Sequence, residues 1–119
     1  QGEIAGYLPD QDYGRKRTVF APLFEVEQAS TTTGTLLFAA NANCAVLPVT
    51  CFRRDDGTGY DMTYYPEFEN FPTGDNVADV TRVNRMIEFA IQQSPEQYMW
   101  IHRRFKTRPN PDDPSLYDG

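Results

Sequence analysis

The stretch CAVLPVTCFRRDDGTGYDMTYYPEF, residues 44–68, decides the fold prediction. Residues 45–52 are apolar almost throughout, which is typical of a strand covered on both faces. Pro48 cannot donate to a strand ladder, so we expect an edge or a bulge at that position. The polar turn at residues 55–59 and the alternating residues 60–68 that follow it predict a hairpin.

Before this hairpin the sequence predicts one strand and one helix. Residues 4–8 form an apolar run that predicts a short strand, ended by Pro9. A loop that contains the basic triplet at residues 15–17 is expected to continue past Pro22. Residues 36–40 then predict a short helix, because asparagines that can end a helix follow it directly.

Two further helices are predicted after the hairpin. Apolar residues recur at three- and four-residue steps from Val77 to Ile91, with Asp75 as the N-cap. The sequence SPEQ at residues 94–97 is the strongest local signal, since a capping serine, a proline and a glutamine stand at helix-opening positions. It predicts a helix through Phe105. The resulting order, β-α-β-β-α-α, is a mixed α/β fold without a second domain.

The two cysteines, Cys44 and Cys51, predict no disulfide. If they lie on one extended strand, seven residues at ~3.3 Å each place them beyond the disulfide reach of about 7 Å. Two cysteines without CxxC spacing and a single histidine also make no zinc site. We therefore expect reduced, buried thiols in a cytosolic compartment, and no metal.

Charge narrows the class of partner. The 119 residues carry 17 acidic and 11 basic side chains, a formal net charge of −6. Net acidity argues against nucleic acid as a partner. Residues 55–79 contain seven acids and no base, whereas residues 102–108 contain four bases and no acid. These runs are most simply solvated surface, although the basic one can also hold an anionic head group or an acidic partner protein.

Few residues suggest chemistry on their own. His102 is the one histidine, and its arginine neighbours make it a poor candidate for a strong base, so a partly exposed residue at a helix end is predicted. Asp10 and Asp12 follow a predicted strand, where α/β folds place ligand-contacting groups. They are equally well explained as turn-forming aspartates. The chain has no apolar run near the ~20 residues of a membrane span.

Two longer stretches carry a family resemblance. GYLPDQDYG at residues 6–14 and PEQYMWIHRRFKTRP at residues 95–109 closely resemble the C-terminal half of the lipid A biosynthesis acyltransferases. These are the lauroyl- and myristoyl-transferases of Gram-negative bacteria. TTTG at residues 31–34 and VLPV at residues 46–49 fall between them in the family's order. The resemblance covers residues 4–109.

The resemblance implies transfer of a fatty acyl chain from acyl carrier protein to a hydroxyl of a Kdo-bearing lipid A precursor, without a cofactor. In the wider glycerolipid acyltransferase superfamily, the general base is the histidine of a His-x-x-x-x-Asp/Glu motif. The fifth residue after His102 is Thr107, so this chain lacks the motif and a catalytic residue, and is expected to be inactive alone.

The resemblance also implies where the chain belongs in such an enzyme. Because it opens with Gln1 rather than Met, we expect a piece of a longer protein. Residues 1–109 are predicted to be the C-terminal part of a mixed-sheet acyltransferase domain, and residues 110–119 a disordered tail. The expected location is the cytoplasmic face of the bacterial inner membrane, held by an anchor segment that this chain lacks.

Seven residues are predicted to bind substrate by this resemblance. They are Asp10, Gln11, Asp12, Arg103, Arg104, Lys106 and Arg108. The acidic block would line the acceptor site, by hydrogen bonds to sugar or amide groups or by orienting a cation. The bases suit lipid A phosphates, an anionic membrane surface or acidic acyl carrier protein. Tyr98 and Trp100 beside them are expected either at a membrane interface or in the core of the predicted helix.

Two other functions stay open from the sequence. One is a non-catalytic, truncated homologue that uses its basic residues to bind anionic membrane or carrier protein. The other is the same acyl transfer to a different lipid acceptor.

Overall fold

The computed structural model describes residues 2–118, so Gln1 and Gly119, at the outer ends of the two predicted ranges, lie outside the described residues. The elements, in chain order, are β1 (Thr18–Leu23), β2 (Val26–Thr32), α1 (Gly34–Ala42), β3 (Val49–Arg53), β4 (Tyr60–Tyr64) and α2 (Asn76–Gln93). β1 pairs with β2 and β3 pairs with β4, both antiparallel, in two separate sheets. The mixed α/β class predicted from the sequence is confirmed.

The core lies where the β1–β2 hairpin packs against α2. Ala21 of β1, Leu36 of α1 and Val80 of α2 form one buried cluster. Leu23 and Val80 are each 1% exposed, and burying side chains of this size stabilises a fold by about 1.5–3 kcal/mol each. The turn of the hairpin is also held by α2, because the backbone N–H of Phe24 donates to Glu88 Oε1 at 2.5 Å.

The helix predicted before the second hairpin and the first of the two predicted after it are confirmed. α1 covers the predicted residues 36–40 and is followed by Asn43 in the left-handed region, with φ at 46°. α2 begins behind Asp75, whose carboxylate accepts from the backbone N–H of Ala78 at 3.0 Å. Val80, one of the apolar side chains of α2 that the spacing predicted, is buried against the first hairpin.

The first hairpin lies where the sequence predicted loop, and the predicted strand at residues 4–8 is wrong. Residues 2–10 contain neither strand nor helix, and Ile4 is fully exposed. β1 was missed because it contains Pro22, a residue that favours a loop or an edge strand, and β2 because two of its three buried residues are polar. Ser30 and Thr31 are each 1% exposed, and hydrogen bonds rather than apolar character allow their burial.

The second hairpin is confirmed, but it is shorter and more exposed than predicted. β3 begins only after Pro48, and β4 ends at Tyr64. Thr50 is buried, whereas every residue of β4 is exposed. The prediction of a strand covered on both faces is therefore wrong, since no third strand pairs with this sheet among residues 2–118.

Both cysteines are exposed free thiols, so the prediction that they are buried is wrong. Cys51 lies on an exposed position of β3, next to the buried Thr50. Cys44 follows α1, outside any helix or strand. Neither position is covered by another element in the described part of the chain.

The helix predicted from residues 94–97 through Phe105 is wrong. Only a single 3₁₀ turn, Pro95–Gln97, forms there, and the Ser94 side chain makes no capping bond. Instead of reaching back to the cap, the Gln97 amide accepts from the backbone N–H of Arg53 at 2.8 Å and donates to its carbonyl at 3.0 Å. A tertiary contact with β3 has replaced the local capping pattern.

Candidate functional site

The N-terminal stretch 6–14 and the C-terminal stretch 95–109 lie against each other. Asp12 is 2% exposed. Its carboxylate accepts from the backbone N–H and the hydroxyl of Thr107, both at 2.8 Å. It also accepts from the backbone N–H of Gly14 at 2.9 Å, and the Asp12 N–H donates to His102 Nε2 at 2.9 Å. One aspartate thus joins two segments 95 residues apart.

Arg104 fastens the same C-terminal stretch to β2. Its side chain is buried, with Nη1 donating to the carbonyl of Ser30 at 2.5 Å and Nη2 to the hydroxyl of Thr31 at 3.0 Å. Burial lowers the pKa of the guanidinium, and the nearby acidic groups of Tyr98, Asp12 and Asp10 act against that shift. Arg104 keeps its proton at neutral pH, because the ordinary pKa of an arginine side chain lies far above neutral pH.

Thr31 connects this arrangement to α2. Its hydroxyl donates to the carbonyl of Ala29 at 3.1 Å and accepts from Asn84 Nδ2 at 3.2 Å. The same Asn84 nitrogen donates to the carbonyl of Pro22 at 3.0 Å. We call the cluster of Asp12, Thr31, His102, Arg104 and Thr107 the junction. It is a polar network that holds the first hairpin, α2 and both terminal stretches together.

Tyr98 closes one side of the junction. Its hydroxyl donates to the carbonyl of Asp10 at 3.2 Å, and its ring meets Trp100 edge-on with centroids 5.0 Å apart. Burial raises the pKa of the Tyr98 phenol, and the charge of Asp10 raises it further. The phenol is therefore held in its neutral, hydrogen-donating form.

A groove lined by residues of β2, of α1 and of the N-terminal stretch is mainly apolar. It has a volume of about 570 Å³ and is lined by Tyr7, Leu37 and Phe38, with Arg17 at its polar part. The Tyr7 hydroxyl hydrogen-bonds to the Thr32 hydroxyl at 3.0 Å. A side chain at Gly34 would collide with that tyrosine hydroxyl, so Tyr7 can keep this position only against glycine. Such a lining suits a hydrocarbon chain with an anionic end.

Comparison with known proteins identifies the chain. The family model described as bacterial lipid A biosynthesis acyltransferase matches residues 1–107. The chain belongs to this family. The resemblance predicted from the two terminal stretches is therefore confirmed. All five residues of the junction lie within the matched residues 1–107.

Several curated relatives carry the family's name. The lipid A biosynthesis palmitoleoyltransferase of Escherichia coli K12 is 49% identical over 109 residues, and the lauroyltransferase of the same strain is 45% identical. A lipid A biosynthesis acyltransferase of Haemophilus influenzae is 42% identical over 117 residues. These alignments cover 92%, 92% and 98% of this chain, but 35%, 36% and 38% of the relatives. The chain thus spans about a third of their length.

The structure divides the seven residues that were predicted to bind substrate. Asp12 and Arg104 are buried. The Asp12 carboxylate and both Nη groups of Arg104 are hydrogen-bonded, whereas Arg104 Nε has no hydrogen-bond partner among the described residues. The others are exposed or partly exposed: Asp10, Gln11, Arg103, Lys106 and Arg108. Their contact with substrate stays a prediction.

Residues that sequence reasoning missed complete the site. Thr107, Ser30 and Asn84 were not singled out, although each makes a hydrogen bond on which the junction depends. The available signals were the stretch at residues 95–109, which includes Thr107, and the TTTG stretch at residues 31–34, which follows Ser30 directly. His102 is partly exposed, as predicted, but it lies in a turn rather than at a helix end.

None of the helices within residues 2–118 has the length and apolar character needed to cross a bilayer. Over the same residues, no three histidine, cysteine or acidic side chains gather closely enough to hold a metal ion.

Proposed function

We propose that this chain is part of an acyltransferase that moves a fatty acyl chain from acyl carrier protein to a hydroxyl of a Kdo-bearing lipid A precursor. The observation that carries the proposal is the family match over residues 1–107. The relatives' names, which include palmitoleoyl- and lauroyltransferases of lipid A biosynthesis, support a fatty acyl group as the group transferred and lipid A chemistry as its destination. The proposed location is the cytoplasmic face of the bacterial inner membrane.

We propose that the catalytic base comes from outside the described residues. The imidazole of His102 is engaged, because Nε2 accepts the backbone N–H of Asp12. A general base needs a free lone pair within reach of the hydroxyl that it deprotonates. The contribution of this chain would then be to shape and charge the acceptor side of the site.

The exposed bases beside the junction are proposed to bind the phosphates of the acceptor. Arg103 and Lys106 are exposed, and charge-assisted hydrogen bonds from such cations to phosphate are stronger than neutral ones. Asp10 and Gln11 would bond to sugar or amide groups of the same acceptor. Asp12 and Arg104 act as positioning residues, since their side chains hold this surface in place from beneath.

The apolar groove beside β2 is proposed to hold part of a hydrocarbon chain. Leu37 and Phe38 provide the apolar lining, and lipid chains gain free energy when apolar area leaves water. Arg17 at the same groove would face the anionic or polar end of that lipid.

The test is acyl transfer by the longer enzyme that contains this chain. With acyl carrier protein thioester and lipid A precursor, the double variant Arg103→Ala/Lys106→Ala should lose at least tenfold in kcat/KM, chiefly through KM. The matched control is Arg54→Ala/Arg85→Ala, which removes two exposed cations far along the chain and should leave kcat/KM unchanged. Absence of transfer by the unaltered enzyme would overturn the proposal and favour a non-catalytic lipid-binding homologue.

A further inference from the structure

The turn at residues 99–101 exposes three apolar side chains in a row. Met99 is 58% exposed, Trp100 59% and Ile101 91%. A single exposed apolar residue is ordinary on a protein surface. A contiguous apolar tip is a mark of an interaction site. These residues were expected within a helix, where the side chains on one face would have been packed against the core.

The tip is held rigidly although it is exposed. Trp100 Nε1 donates to the carbonyl of Pro95 at 2.6 Å, and the Trp100 N–H donates to the carbonyl of Tyr98 at 2.9 Å. The N–H of His102 donates to the carbonyl of Met99 at 3.2 Å, which closes the turn. A pre-ordered tip loses little conformational entropy when it binds.

The junction fixes both ends of the tip. On one side the Tyr98 hydroxyl is bonded to the Asp10 carbonyl, and on the other Arg104 is buried against β2. The residues on both sides of the turn are thus held by hydrogen bonds, while the apolar side chains between them are exposed. Exposure here follows from the way the chain is fastened rather than from a loose segment.

Charge around the tip is positive in a protein that is otherwise acidic. Residues 98–108 include four bases and no acid, whereas the whole chain has a net charge of −6. Arg103 and Lys106 are exposed beside the tip. A surface that combines tryptophan, aliphatic side chains and cations is complementary to the interface of an anionic bilayer.

We infer that the turn Met99–Ile101 inserts into the head-group region of an anionic lipid leaflet, with Arg103 and Lys106 on the lipid phosphates. The inference rests on the membrane location in the proposed function and assigns the contact to a particular turn. Cations close to an anionic surface each strengthen binding severalfold, and salt weakens that attraction. The apolar tip sets how deeply the turn inserts into the leaflet, and the two cations make binding to anionic lipid stronger than binding to neutral lipid.

Trp100 allows a direct test, because it is the single tryptophan of the chain. The chain is titrated with vesicles of phosphatidylglycerol and phosphatidylcholine, and Trp100 emission is recorded. With anionic vesicles we expect a blue shift and quenching by brominated lipid tails, both reduced at 0.5 M salt. Vesicles of phosphatidylcholine alone should bind at least tenfold more weakly.

Variants separate the tip from the rest of the surface. Ile101→Ser and Arg103→Glu/Lys106→Glu should each lower the vesicle partition coefficient about tenfold or more. The matched control is Met62→Ser, which alters a side chain 57% exposed on β4 and should bind as the unaltered chain does. All of these positions are exposed, so far-UV circular dichroism should be unchanged.

Two results would overturn the inference. One is vesicle binding without quenching of Trp100 by brominated lipid, which would place the contact elsewhere. The other is no binding to anionic vesicles, which would leave the tip as a surface for another protein segment. Acyl transfer to a detergent-dispersed acceptor by Ile101→Ser in the longer enzyme tests the proposed function separately, because that assay contains no bilayer.

Discussion

Two buried aspartates make the same pair of hydrogen bonds at very different sequence separations. Asp79 is fully buried and accepts from the N–H of Thr73 at 2.7 Å and from its hydroxyl at 2.8 Å. Asp12 accepts the same two groups of Thr107, both at 2.8 Å. The first pair is separated by six residues and the second by 95. The pair of bonds at Asp79 therefore stabilises the start of α2, and the pair at Asp12 joins distant parts of the chain.

The comparison predicts different consequences for equal chemistry. Asp79 lies in the first turn of α2, whose buried side chains form the core with the first hairpin. Asp12 lies at the edge of that core and holds a C-terminal stretch without helix or strand. Loss of the Asp79 carboxylate should therefore destabilise the whole fold. Loss of the Asp12 carboxylate should mainly destabilise the C-terminal stretch that it holds.

The largest effect is expected from Asp79→Ala. Removing this buried carboxylate takes away two charge-assisted hydrogen bonds to Thr73, which costs about 3 kcal/mol in unfolding free energy. Urea denaturation followed by far-UV circular dichroism measures it. The control Asp75→Ala removes only the N-cap of α2 and should cost about 1 kcal/mol. Equal losses for the two variants would contradict the central place given to Asp79.

Asp12→Ala should give a smaller, local effect. We expect about 2 kcal/mol of local destabilisation, because the Thr107 and Gly14 N–H groups lose a charged acceptor but can turn to water. Hydrogen exchange should speed up at Gly14 and across residues 102–107. Amides of α2 should keep their protection. Faster exchange throughout the chain would mean that the junction and the core form one cooperative unit.

The smallest effect is expected from ionisation of Tyr98. Its ordinary pKa is 10.0, and burial raises the value in the folded state. The folded state thus favours the protonated phenol, so this contribution to stability is complete below pH 10 and is lost as pH rises through the raised value. The urea midpoint of the unaltered chain should fall above pH 10 more steeply than that of Tyr98→Phe. Parallel pH profiles would remove Tyr98 from the junction's energetics.

Local signals explain which parts of the fold were predictable. α2 was found from its apolar spacing and the Asp75 cap, and the second hairpin from its turn at residues 55–59. Both signals act within a few residues and survive in the folded chain. The first hairpin was not predicted, because the buried Ser30 and Thr31 of β2 look like loop residues in a hydropathy pattern.

Long-range contacts explain the remaining errors. The capping pattern at residues 94–97 is sound locally, yet Gln97 bonds to the backbone of Arg53 instead, so only one turn forms. For Asp12, the turn-forming alternative is confirmed by its bond to the Gly14 N–H. Two of the three hydrogen bonds to the Asp12 carboxylate come from Thr107, 95 residues away. No local sequence pattern specifies such a partner.

The span of the Asp12–Thr107 contact also orders events during synthesis. A ribosome makes Asp12 early, but Thr107 appears only after 94 further residues have been added. Until then the Asp12 carboxylate and the Ser30 carbonyl lack their C-terminal partners, Thr107 and Arg104. All residues of the first hairpin and of α2 are made before Thr107, and closing a loop of that length makes the junction a late step.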